Sequence, residues 1–169
     1  MDTGLLILRV AIGPLMAAHG AQKLFGWFGG YGLTGTGGFF EGLGFRPGRF
    51  FAATASLAEI TGGALVTFGL LGPIGPALMI SVMIVAALSV HWQHGLFAQN
   101  NGIEVPLLYS ASAAALALSG FGAYSLDAAL GLTSVWTPGL NWGVLAIGVV
   151  GGVVNASLRR PPAHAPAHA

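Results

Sequence analysis

The sequence contains no cysteine. That absence excludes disulfides, cysteine-ligated zinc, cysteine-held iron–sulfur clusters and any thiol relay carried by the chain itself. Charge is nearly as scarce: Asp, Glu, Lys and Arg make up 7% of 169 residues, against about 25% in an ordinary soluble domain. Six basic and five acidic residues cannot cover a soluble globule of this size. The net charge is +1 and no basic patch stands out, so nucleic-acid binding is discounted. The glycine-rich stretch lacks Gly-Lys-Ser/Thr and follows no strand, which rejects a phosphate loop. No Ser/His/Asp triad is inferable.

What the chain has in quantity is apolar surface and glycine. Hydrophobic residues are 54% of it and 28 residues are glycine. A hydrocarbon solvent removes the need for charge, and small residues let helices approach closely where lipid surrounds them. The expected fold is all-α, a transmembrane bundle of four core helices plus a fifth C-terminal helix. The first 25 residues are expected to be a spanning helix, not a signal peptide, because Asp2 stands where a basic n-region belongs and bulky aromatics follow the apolar stretch.

Five segments are long or apolar enough to read as helices, at about 20 residues per crossing. They run over Leu5–Phe25, Phe50–Leu71, Ala77–Trp92, Pro106–Phe121 and Leu140–Leu158. Residues 26–49 mix glycine with Trp27, Phe28 and Tyr31, which suits an interfacial or re-entrant element. Pro47 fits the start of the second helix. Residues 1–127 read as a four-helix membrane domain, 128–160 as a loop and extra helix, and 161–169 as a Pro/Ala/His-rich disordered tail. Five crossings put the termini on opposite sides; four, with the last segment lying on the membrane, is the alternative. Lys23, Arg46, Arg49, Arg159 and Arg160 fall on one side and only Arg9 on the other, so the positive-inside rule places the N-terminus outside and the C-terminus in the cytoplasm.

Ionisable residues within an apolar helix are costly, about 2.5–3.5 kcal/mol at its centre, so they pair or line a cavity. By helical rise, His19 lies about 21 Å below the outer face and Glu59 about 12 Å above the inner one, nearly level across a core of about 30 Å. Lys23 is one turn from His19. His91 and His94 close the third segment on the same side. The candidate polar pocket is therefore His19, Lys23, Glu59, His91 and His94. Arg9, near the outer face, forms a candidate structural pair with Asp127, with Asp2 as a second counter-ion. The plainer readings are snorkelling of Lys23, His91 and His94 to the interface and a Glu59–His19 hydrogen bond that only fixes packing. His91 and His94 have a metal-ligand spacing common enough to carry little weight, haem between His19 and His91 carries less, and His164 and His168 are too few for a metal tract. No metal site is assigned, and no catalytic residue.

The residues Leu8-Arg9-Val10-Ala11, Ala18 through Gly26 (AHGAQKLFG), Gly38-Phe39-Phe40-Glu41, Glu59 with Gly62-Gly63, the His91 region and Tyr124-Ser125-Leu126-Asp127 together resemble the DoxX family of small polytopic bacterial membrane proteins. The resemblance implies a multi-pass protein of the bacterial plasma membrane associated with quinone-linked oxidoreductases or oxidative-stress complexes. The implied partners are the lipid bilayer, oxidoreductase subunits and a second copy of the chain; the implied cofactor is quinone ahead of haem or metal. A quinone needs a hydrogen-bond donor, a proton relay and an aromatic slot. His19, Lys23 and Glu59 with Phe25, Trp27 and Phe28 are the residues expected to supply them. The competing reading is a non-catalytic scaffold whose polar cluster locks the bundle; a solute or proton transporter ranks last, because internal repeats are not evident.

Overall fold

A computed structural model describes residues 1–160. The elements are α1 (Asp2–Phe25), a short turn at Trp27–Gly29, α2 (Gly32–Gly42), α3 (Gly48–Phe68), α4 (Ile74–Ala86), α5 (Glu104–Ser119), α6 (Leu126–Ala129) and α7 (Pro138–Ser157). Among the described residues there is no strand. α4 continues through a π turn at Ala87–His91 and a 3-10 turn at Trp92–His94. α1, α3, the extended α4 and α7 are each long and apolar enough to cross a membrane. α5, with 16 residues, spans about 24 Å at about 1.5 Å per residue.

Each helix stops for a readable reason. Gly26 and Gly69 close α1 and α3 in the left-handed conformation that glycine adopts without cost. Pro47 opens α3 as its N-cap, as its place in the sequence suggested. Thr137 caps α7, accepting from Leu140 N at 3.4 Å, with Pro138 in the first turn.

Small residues decide which helices touch. A Cβ on Gly13 would lie 2.8 Å from Gly63 O, and one on Gly63 would lie 2.6 Å from Ala17 N. One on Gly20 would lie 2.7 Å from Ile60 Cγ1. Rising numbers on α1 meet falling numbers on α3, so the two are antiparallel and pack backbone to backbone. α7 uses the same device on α4: Gly148 faces Ala77 and Gly152 faces Ser81. There both numbers rise together, so α7 runs parallel to α4.

That direction fixes the course of the chain. Asp2 accepts from Ala123 N at 3.1 Å at one end of the bundle. Arg160 N donates to Gly44 O at 2.8 Å at the other. α1, α3, α4, α5 and α7 therefore each traverse the bundle, and residues 2 and 160 lie at opposite ends. The core holds Met16, Val66, Met79, Leu116 and Leu145; a smaller cluster of Phe40, Phe45 and Ala52 seats α2 against α3. Ile7, Leu15, Leu57, Trp142, Ile147 and Val150 are exposed on the outside of the bundle. So much outward apolar side chain suits a hydrocarbon solvent.

The expected segments shift by two to three residues at their starts, within the ordinary uncertainty of helix ends. The glycine-rich connector is more ordered than its composition suggested, with α2 as a full helix. Its glycines serve packing: Gly37 sits against Arg49, and Gly48 against Glu41 and Gly37. The tail expected to be disordered, with His164 and His168, lies outside the described residues.

Candidate functional site

Lys23 and Glu59 form an ion pair, the only one among the described residues. Glu59 is on the face of α3 that packs on α1, and its side chain is fully buried. Lys23 lies one turn closer to the end of α1 and reaches back to it, so Glu59 Oε1 accepts from Lys23 Nζ. Glu59 Oε2 is buried without a hydrogen-bond partner. A carboxylate withdrawn from solvent and held by one cation is a costly arrangement.

His19, expected level with Glu59, lies on the exposed side of α1. It meets Tyr109 of α5 edge-on, with ring centroids 6.1 Å apart. His19 makes no hydrogen bond to the Glu59 carboxylate, whose Oε1 is taken by Lys23 and whose Oε2 has no partner. The Glu59–His19 bond expected as a packing lock is replaced by the Lys23 pair, because lysine's longer stem spans the extra turn. Tyr109 was passed over in the sequence, where it only dilutes an apolar segment.

Lys23 also faces a cavity of about 270 Å³ between α2, α3 and α4. Phe39, Phe40, Phe45 and Val85 form its apolar wall; Ser89 and His91 join Lys23 as its polar groups. The π turn at Ala87–His91 brings Ser89 and His91 into this wall. π turns interrupt the i→i−4 ladder and recur at functional positions. His91 Nδ1 is 2.7 Å from Asn101 O, which anchors its ring to the turn before α5. His94 Nδ1 is 3.0 Å from Val90 O, and its side chain is exposed beside a neighbouring depression. Among the described residues no three His, Asp or Glu side chains come together as a metal set.

Two expectations about this region are corrected. Phe25, Trp27 and Phe28 do not line the cavity: all three are exposed, and its aromatic wall comes from α2 and the loop after it. The five pocket residues divide as well. Lys23 and His91 line the cavity, Glu59 stands behind Lys23, His19 faces the α5 side, and His94 sits at the outer rim.

At the opposite end, Arg9 and Asp127 occupy one junction but do not pair with each other. Arg9 Nη1 donates to Thr67 O at 3.3 Å and Nη2 to Tyr124 O at 3.0 Å, with its guanidinium 5.8 Å from the Phe121 ring centre. Asp127 accepts from Leu71 N at 2.9 Å and Gly72 N at 2.7 Å, and its own N–H donates to Gly69 O. Asp2, the second counter-ion considered, is engaged with Ala123 N. Backbone groups left over at the end of α3 take both side chains, so each stitches the same two segments without needing the other's charge. A cavity of about 400 Å³ opens beside Asp127, Trp136 and Asn141. Asp127's two oxygens are already committed to backbone, so the carboxylate is spoken for there.

The fold and its lining define a multi-pass α-helical membrane protein with a buried ion pair beside an aromatic-walled cavity. The DoxX family model matches residues 4–92, more than half of the chain, and the protein belongs to the DoxX family. The match takes in α1 to the end of α4, and so every side chain named in the cavity; Tyr124–Asp127 falls outside it. No curated protein and no solved structure matches the chain.

Proposed function

We propose that this DoxX protein is a redox-associated membrane subunit that holds a quinone-like ring in the cavity between α2, α3 and α4. The observation that carries the reading is the pairing of one apolar aromatic wall with a donor and an acceptor. Phe39, Phe40 and Phe45 supply faces for a flat ring, Lys23 is placed to donate to a ring carbonyl, and His91, whose Nδ1–H is given to Asn101 O, keeps Nε2 to accept from a ring hydroxyl of the reduced form. At about 270 Å³ the cavity is close to the lower end of small-ligand sites, about 300 Å³, which suits a single head group. Glu59 supplies what a proton-coupled ring needs beyond binding. Its Oε2 is unpartnered and its Oε1 is held by Lys23, so Oε2 is the site of the pair that can take up a proton while Lys23 keeps its ammonium. The electron donor is assigned to a partner subunit, following the association with oxidoreductase complexes that the DoxX resemblance implies.

The Lys23–Glu59 pair also favours a second reading, a scaffold in which the pair only ties α1 to α3. The two separate on one experiment. The chain is purified with its native partners in mild detergent, and the extracted lipid fraction is searched for quinone. Stoichiometric quinone that disappears when Phe40→Trp fills the cavity supports the first reading. A well-folded complex without quinone supports the scaffold.

A further inference from the structure

We infer a second ligand site on the outside of the bundle: a groove between α3 and α7 that holds one anionic glycerophospholipid. α3 and α7 both pack on α4 and leave a slot between them. Phe51, Thr54 and Ala58 form one wall, Ser81 and Val85 the floor, and Asn155 the far side. Its volume is only about 70 Å³, room for a short stretch of an acyl chain.

The end of the groove is strongly basic. Asn155 lies in the last turn of α7 and Arg159 just past its end, where Arg159 N donates to Ala156 O at 3.4 Å. Arg159 Nη1 donates to Ser89 O at 3.4 Å, which pins the guanidinium beside the end of α4. Arg160 N donates to Gly44 O at 2.8 Å, bringing Arg160 onto the loop that carries Arg46. Arg159 and Arg160 thus follow Asn155 of the groove, and Arg46 precedes α3, whose first turns form the facing wall. None is in an ion pair, because Lys23–Glu59 is the only pair among the described residues. Glu41, the nearest acid in sequence, gives Oε1 to Gly48 N.

An apolar slot ending in unpaired arginines fits a phosphate diester with tails. Basic pockets between helices at the membrane face select anionic head groups, and the guanidinium fork suits phosphate oxygens. Residues 161–169 contain no Asp or Glu, so charge complementarity favours a lipid over that segment. The site does not depend on what the inner cavity holds, although Phe40, Ala55, Val82 and Val85 border both.

The test uses the full chain in neutral detergent, with phosphatidylglycerol, phosphatidylcholine of the same chains and glycerol 3-phosphate as probes, followed by native mass spectrometry and lipid titration. Phosphatidylglycerol should bind at least about tenfold more tightly than phosphatidylcholine at low salt. Arg46→Gln and Arg160→Gln, both at exposed positions, should each remove about fivefold of that preference. Thr54→Phe, which fills the slot, should weaken both lipids. Equal binding of the two lipids overturns the site, as does a preference that survives the double arginine variant. Full competition by glycerol 3-phosphate would make it a free-anion site and overturn the lipid assignment.

Discussion

Lys23 on α1 donates to the carboxylate of Glu59 on α3 across the glycine seam that joins the two helices. The two groups differ in exposure: Glu59 is fully buried and Lys23 is 31% exposed. The ammonium therefore faces both the cavity and the acid. Removing it should strand a buried charge, at a cost of about 3–5 kcal/mol. Lys23→Met should be strongly destabilised, and Lys23→Met with Glu59→Leu should recover much of the loss. A double-mutant cycle on unfolding in detergent reads the coupling. Strictly additive losses would mean that the pair does not form.

The two helices meet through missing side chains, which gives a second prediction. Gly63→Val places a Cβ 2.6 Å from Ala17 N; backbone cannot yield as a flexible side chain does. That variant should fail to accumulate in the membrane. Gly143→Ala adds a Cβ with nothing within 4 Å and should accumulate as the parent does. If Gly63→Val accumulates with parental thermal stability, the close approach of α1 and α3 is wrong.

A good part of this was legible in the sequence. The apolar runs located the helices, and counting helical rise put Glu59 nearly level with His19 and within a turn or two of Lys23, its partner in the structure. What the sequence hid is backbone behaviour. The π turn at Ala87–His91 carries no residue signature, yet it decides that Ser89 and His91 line the cavity. The Gly32–Gly42 helix contradicts glycine's low helix propensity, because tight packing at Gly37 outweighs it. Arg9 and Asp127 read as a pair because both are charged and near one end; each instead bonds to carbonyl or amide groups that a sequence does not display.

That last distinction is testable. If Arg9 and Asp127 acted as an ion pair, exchanging them would preserve the attraction. Since each bonds to backbone, Arg9→Asp with Asp127→Arg should be no more stable than the worse single variant. Asp127→Ala leaves the Leu71 and Gly72 amides without their acceptor, a loss of about 1–3 kcal/mol for each buried donor. Thermal unfolding of the singles and the swap decides it; rescue by the swap would establish a direct pair.

The positions of residues 2 and 160 at opposite ends make a prediction about topology. Arg46, Arg49, Arg159 and Arg160 gather at one end, where the positive-inside rule expects the cytoplasm. The chain has no native cysteine, so single-cysteine labelling is clean. Cysteine at Ala123 should react with a membrane-impermeant maleimide in intact cells, and cysteine at Arg46 only after lysis. The reverse pattern would invert the orientation and leave the fold intact.

The functional prediction turns on which side chains face the cavity. His19 lies toward Tyr109, outside the cavity wall, and Arg9 is at the far end of α1. His91 lines the cavity, and its position at the end of α4 keeps its removal from emptying the core. Titrating a quinone analogue into the purified chain, with its partners where they co-purify, should therefore show an ordered series. His91→Ala loses one hydrogen bond accepted from a hydroxyl of the analogue, about 0.5–1.5 kcal/mol, or a several-fold weaker affinity. Phe40→Ala, which removes a ring from the wall, should weaken binding further, since a lost aromatic contact adds about 0.5–1.5 kcal/mol to the lost burial. His19→Ala should have less effect than either, and Arg9→Lys none on affinity. Thermal unfolding of the same samples separates loss of binding from loss of fold. If His19→Ala weakens the analogue more than His91→Ala at equal stability, the ring sits on the Tyr109 side of Glu59, not in the α2–α4 cavity.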